Sequence, residues 1–134
     1  MACELSTRAT GTFTIEAWEP DEAVGEDGLE LGAVRLAKRF QGDLVGTGRV
    51  RMASGAIGGE PTIYVALELI KGTLLGRTGA FLLRHLGVMR DGLGTRDCVV
   101  VAGSGTQELT GLAGTFSIDV IEGVHTWSLD HTLD

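Results

Sequence analysis

The sequence predicts an all-β chain whose antiparallel sheet closes on itself as a barrel. Three observations predict it. Apolar and polar residues alternate at period two through most of the chain, and almost nowhere at the 3.6 period of a helix. Glycine is the compositional outlier, with 21 among 134 residues, about twice average usage. Gln41-Gly42, Lys71-Gly72 and Glu122-Gly123 each separate two β-rich runs, as two-residue hairpin turns do. Glycine inside a strand permits the bulges and sharp bends that close a sheet.

The first strand is expected over 9–18, where Phe13, Ile15 and Ala17 alternate with Thr12, Thr14 and Glu16. The segment 19–30 comes after it, with six carboxylates and no base. It lacks the alternating ligand spacing of an EF-hand, so it reads as a solvated loop able to lie over a barrel mouth. Strands 32–40 and 43–53 flank Gln41-Gly42, and strands 62–70 and 73–86 flank Lys71-Gly72. In that second hairpin Tyr64, Ala66, Glu68, Ile70, Leu75, Arg77, Phe81, Leu83 and His85 share one face. Ile63, Val65, Leu67, Leu69, Leu74, Thr78, Ala80, Leu82 and Arg84 share the other. Neither face is polar enough for water and few helices exist to cover one, so a homo-oligomer is expected.

Strands 97–103 and 106–111 come next, then 113–121 and 124–133 about Glu122-Gly123. With Ile121 opposite Val124, Ile118 faces Trp127 and Phe116 faces Leu129. One face of this hairpin then carries Phe116, Ile118, Val120, His125, Trp127, Leu129 and His131, which is the inward face. The other carries Thr115, Ser117, Asp119, Thr126, Ser128 and Asp130.

Gly103, Gly105, Gly111 and Gly114 crowd the segment 102–116. A phosphate-binding loop needs glycines that lead into a helix N-terminus. Here the residues from Leu109 to Phe116 are strand-like, and both the Gly-Lys-Ser/Thr ending and the dinucleotide fingerprint are missing. Ser104 and Thr106 read as hydroxyls that satisfy backbone groups in a bend. The string from Gly103 to Gly114 resembles the signature of the bacterial family of domain of unknown function 3224. So do Tyr64-Val-Ala-Leu-Glu and Gly72-Thr-Leu-Leu-Gly-Arg-Thr-Gly-Ala-Phe-Leu-Leu-Arg-His. Gly11-Thr-Phe, Trp18, Phe40-Gln-Gly-Asp-Leu and His125-Thr-Trp-Ser-Leu-Asp fall in the expected order. The resemblance implies an allene-oxide-cyclase-like closed antiparallel barrel of about eight strands. Proteins of that architecture bind apolar or reactive small molecules and steer ring closure or coupling without a cofactor. Gln107 and Trp127 depart from the pattern, at pocket shape more than at fold.

A net charge of −7 disfavours a nucleic-acid backbone as partner. Arg35, Lys38, Arg39, Arg49 and Arg51 read as a solvated sheet face. No apolar run approaches the ~20 residues of a membrane helix. No secretory leader is visible, and Cys3 and Cys98 read as reduced thiols, so a cytoplasmic location is expected. Of the three histidines, His125 and His131 stand about 20 Å apart on one strand at ~3.3 Å per residue, so no metal site and no cofactor are expected.

General acid-base chemistry is the more plausible kind. Glu68, Tyr64, His85 and His125 are the candidate catalytic groups. Glu68 would carry a tuned carboxyl with Arg77 as its diagonal ion-pair partner, Tyr64 would donate a hydrogen bond, and His85 would shuttle a proton. Arg77, Phe81, Trp127, His131, Phe116 and Phe13 are the candidate ligand-binding residues. Three functions fit. The barrel could be a cofactor-independent isomerase or cyclase acting on a small apolar or weakly polar molecule. It could be a non-catalytic binding protein, or a structural oligomer whose interior is filled by side chains.

Overall fold

In the computed structural model, which describes residues 6–90 and 93–133, the chain is a β-barrel. Its strands are β1 (Thr7–Pro20), β2 (Val24–Glu26), β3 (Leu29–Gly42), β4 (Leu44–Ile57), β5 (Glu60–Leu74), β6 (Arg77–Arg90), β7 (Leu93–Val100), β8 (Ala113–Ile121) and β9 (Val124–Thr132). The sheet order is β1-β9-β8-β7-β6-β5-β4-β3-β2, and β1 also pairs with β3. That pairing closes eight antiparallel strands into a cylinder and leaves β2 as an extra strand on β3.

Local sequence explains most of this. Glu122 and Gly123 both have positive φ, 51° and 80°, as a primed hairpin turn requires. The register is the expected one, with Ile121 opposite Val124, Ile118 opposite Trp127 and Phe116 opposite Leu129. The segment 19–30 differs from expectation. Asp27-Gly28 makes its own tight turn, and Val24 pairs with Leu31, so the acidic stretch is largely a hairpin. Gly42 does sit at the β3–β4 turn with φ +106°, but the last rung there is Phe40–Gly46, so the loop is wider than two residues.

The Lys71-Gly72 turn does not exist. Strand β5 runs through it, and the chain reverses at Leu75-Gly76 instead. Gly72 lies opposite Gly46 on β4 and Gly79 on β6. A Cβ on Gly72 would overlap the Val45 carbonyl oxygen, and one on Gly46 would overlap that of Lys71. These glycines let two strands coil sharply at close approach, which a closed eight-stranded cylinder needs. Leu74 is consequently buried on the Glu68 side and Leu75 exposed, whereas the sequence reading grouped Leu75 with Glu68.

Residues 106–111 are not a strand. Gln107–Leu109 form a 3-10 turn that carries Leu109 inward, with Leu112 buried three residues on. This segment closes the lower end of the barrel, where Phe40, Leu44, Leu74, Phe81, Leu109, Leu112 and Leu129 are fully buried. It also completes β6, which pairs with β7 only from Leu83 onward. The Thr78, Ala80 and Leu82 amides donate to Glu108 Oε1 (3.1 Å), Thr106 Oγ1 (2.9 Å) and Ser104 Oγ (3.1 Å). Alternate side chains of the glycine-rich segment thus stand where a neighbouring strand's carbonyls would be.

Candidate functional site

Above the packed lower half, three ionisable side chains meet inside the barrel. Lys38 lies on β3 between Leu36 and Phe40 at the inward parity, although the sequence reading placed it on a solvated face. Glu68 projects from β5 and His85 from β6. Lys38 Nζ donates to Glu68 Oε1 at 3.3 Å, and His85 Nε2 lies 2.8 Å from that oxygen. The three are 7%, 0% and 8% exposed. Burying one charge costs several kcal/mol, about the amount its opposite can return at hydrogen-bond distance. That balance accounts for Lys38 and Glu68 sharing one interior.

Space for the carboxylate comes from Gly48, which pairs with Ile70 beside Glu68. A Cβ there would overlap Glu68 Oε2. Oε2 has no hydrogen-bond donor among the described residues. Lys38 Nζ also sits 4.6 Å from the centre of the Phe13 ring, a cation–π distance, and Phe13 stacks on His125 at 4.9 Å. Cys98 on β7 pairs with His85, its Sγ 3.9 Å from Nε2. Burial, reinforced by the Glu68 charge, pushes the Cys98 thiol up to about 12, so it stays neutral. Over this cluster lies a thin apolar layer of Leu36, Val50 and Ala66 flanked by Val34 and Met52.

The upper end is shaped by a bulge. The β1–β3 register shifts between Ile15 and Ala17. Without the shift Ala17 would share the parity of Phe13. With it Trp18 pairs with Leu36 and takes the inward side. Trp18 is nevertheless 56% exposed, because no described residue covers it at that end. Tyr64, half-buried, lies across Gly87 of the next strand, where a Cβ would overlap its ring.

The structure brings Glu68, His85 and Tyr64 to the upper half and separates the other sequence candidates from them. Glu68 faces Leu83, and its ion-pair partner is Lys38 rather than Arg77. Arg77 is exposed at the lower end opposite Leu74. His125 reaches the cluster only through Phe13. His131 is buried near the lower end, with Nδ1 3.3 Å from the Leu129 carbonyl oxygen. Phe81, Phe116, Trp127 and Phe13 belong to the packed core. Phe116 and Trp127 stack at 5.7 Å, and Trp127 Nε1 donates to the Thr12 carbonyl at 3.1 Å. The residues missed by the sequence reading are Lys38, Cys98 and Trp18. Parity with Leu36 and Phe40 marks Lys38 in the sequence, whereas nothing local marks the bulge that turns Trp18.

A concavity of about 830 Å³ runs along the wall of β3–β6, and its lining includes the inward residues Val34, Met52, Ala66 and His85 as well as outward ones. Ala33, Ala53, Val65 and Leu67 line it, with Arg35, Arg51 and Arg84 around them. Among the described residues no group of three His, Cys, Asp or Glu side chains is arranged to hold a metal ion, and no helix is long and apolar enough to cross a membrane.

Residues 9–131 match the profile described as "Protein of unknown function (DUF3224)". The chain is similar to a crystal structure from Shewanella oneidensis MR-1, described as a protein with unknown function from the DUF3224 family. Identity is 36%, the match covers 96% of this chain and 98% of that one, and the TM-score is 0.89. No curated protein matches.

Proposed function

The chain belongs to the DUF3224 family of proteins of unknown function, and we propose that it binds a small apolar molecule at the upper end of its barrel. The observation that carries this reading is Trp18. A bulge turns an indole toward the inner side at the open end and leaves it 56% exposed. Exposed inward aromatics with a few polar groups beneath them are the ordinary make-up of a small-ligand site. Met52, Val34 and Tyr64 supply further apolar surface at the same end, and His85 lies below them.

A second reading, proton transfer on that molecule, is favoured by the His85–Glu68 bond. A carboxylate only accepts, so Nε2 carries the proton, and in the neutral imidazole Nδ1 is then the acceptor. No described residue bonds Nδ1. A histidine oriented by a carboxylate and free at its other nitrogen is a general-base arrangement. No cofactor enters this chemistry.

The test uses N-phenyl-1-naphthylamine, a neutral apolar fluorophore. Saturable binding is expected, with quenching of Trp18 emission, and Trp18→Ala is expected to abolish it without moving the melting temperature. A probe that does not saturate, or binds Trp18→Ala as tightly as the parent, overturns the site. For the second reading, a molecule recovered with the protein by native mass spectrometry should take up deuterium from D2O. Uptake at the same rate in His85→Ala overturns that role.

A further inference from the structure

The outer face of the barrel opposite this site carries a different feature. The outward side chains of β5 from 63 to 69 are Ile63, Val65, Leu67 and Leu69, and all four are exposed. No charge interrupts the stripe. The inward residues of the same strand are also mostly apolar, so β5 reads as a strand covered on both faces. The stripe widens at Val65 into Ala53 and Leu86 and at Leu69 into Leu82, while Leu67 between them is flanked by Arg51 and Arg84.

We infer that two copies of this chain pair through the outer face of β4–β6, related by a two-fold axis. This goes beyond the ligand reading and does not depend on it. Two properties make the face complementary to itself, as a two-fold interface must be. The first is shape. The 830 Å³ groove occupies the upper part of the face, while Leu69 and its rung partner Leu82 form an apolar shoulder below it that does not line the groove. An axis between groove and shoulder seats each shoulder in the other copy's groove.

The second property is charge. Each flank of the face ends in a mixed-sign cluster. Arg35 lies 3.5 Å from Glu19 and 4.0 Å from Asp21 on the β1–β3 side, and Arg84 pairs with Asp97 on the β6–β7 side. The two-fold lays one cluster against the other, so that each brings both an arginine and a carboxylate. Between them Arg35 stands directly opposite Arg51 across β3 and β4. Arg51 donates only to the Val50 carbonyl among the described residues. Like charges side by side on a bare sheet are unfavourable. Arg35 already has Glu19 and Asp21, so it is Arg51, beside Leu67, to which a second copy supplies a carboxylate.

Sedimentation equilibrium of the full chain at micromolar concentration tests this. A particle of twice 14.1 kDa is expected. Leu67→Glu should raise the dissociation constant by about thirtyfold or more, as loss of a central anchor does. Ser117→Glu, on the outer face of β8 across the barrel, should leave it unchanged. Circular dichroism and melting temperature serve as the fold controls. A monomeric parent overturns the inference, whether or not the face binds a fatty acid or detergent instead. So does a folded Leu67→Glu that remains as dimeric as the parent. Trp18 does not line the groove, so probe quenching of its emission is read independently of either result.

Discussion

Glu68 and His85 meet at 2.8 Å inside the barrel, and the same carboxylate oxygen also takes Lys38. Removing one member of a buried pair leaves the other charged and unpaired. Glu68→Leu is therefore expected to lower stability by about 3–5 kcal/mol in urea denaturation. Adding Lys38→Met should recover a large part of that loss, because the stranded ammonium goes with it. A double variant no more stable than Glu68→Leu would show that the ammonium is not what destabilises the single one.

Cys98 should be chemically quiet. Its thiol is pushed from 9.0 up to about 12 by burial, so little thiolate exists near neutrality. In a Cys3→Ser background, native protein should react with iodoacetamide more than about a hundredfold more slowly at pH 8 than urea-unfolded protein. The shift also fixes the sign of a stability effect. A raised folded value costs nothing below pH 9 and progressively destabilises the fold as pH climbs toward 12. Cys98→Ala should flatten that part of the alkaline profile, and an unchanged profile would contradict the shift.

Arg8 and Asp130 face each other across β1 and β9 with two bonds of 2.7 and 2.8 Å. The guanidinium hydrogen bond holds the Asp130 carboxyl below its ordinary value, against a smaller opposing effect of desolvation. The associated stability is present above the ordinary carboxylate range and is lost as pH falls through the lowered value. Arg8→Ala should raise the Asp130 titration midpoint measured by NMR. A midpoint that stays put would mean the pair is not formed in solution.

Gly72→Ala should be costly, by about 1–3 kcal/mol or more, because its methyl meets the Val45 carbonyl rather than a yielding side chain. Gly123→Ala meets no atom within 4 Å, and its penalty is set by φ +80° alone, about 1 kcal/mol. Thermal melts that ranked these two the other way would argue against the close approach of β4 and β5.

Leu75 holds φ +46° at the true β5–β6 turn while its side chain is exposed. Asn or Gly tolerates that conformation better than Leu. Leu75→Asn should raise stability by up to about 1 kcal/mol in urea denaturation. A loss instead would mean that the leucine side chain is held by something that covers this turn.

Legibility tracked the range of the interactions. The β8–β9 register could be read to the residue because Glu122-Gly123 is a local turn flanked by strict alternation. Lys71-Gly72 looked the same, but Gly72 is fixed by Gly46, a contact 26 positions away that alternation does not encode. Leu75 conceals the real turn because leucine is a poor predictor of positive φ. At the site, Glu68, His85 and Tyr64 were legible from parity on one strand pair. Lys38 was obscured by the exposed arginines beside it, although its own parity was correct. Trp18 depends on one extra residue in β1, and a bulge leaves no period in the sequence. Leu109 and Leu112 were read as strand-like when their spacing of three suits a 3-10 turn.

Among the described residues β7 and β8 join through one rung, Val99 opposite Thr115, whereas β4 and β5 share fourteen. The cylinder is therefore a rolled ribbon with a nearly unlaced slit down one side. Thermal breathing will part the wall there first, so amide protons flanking the slit should exchange soonest.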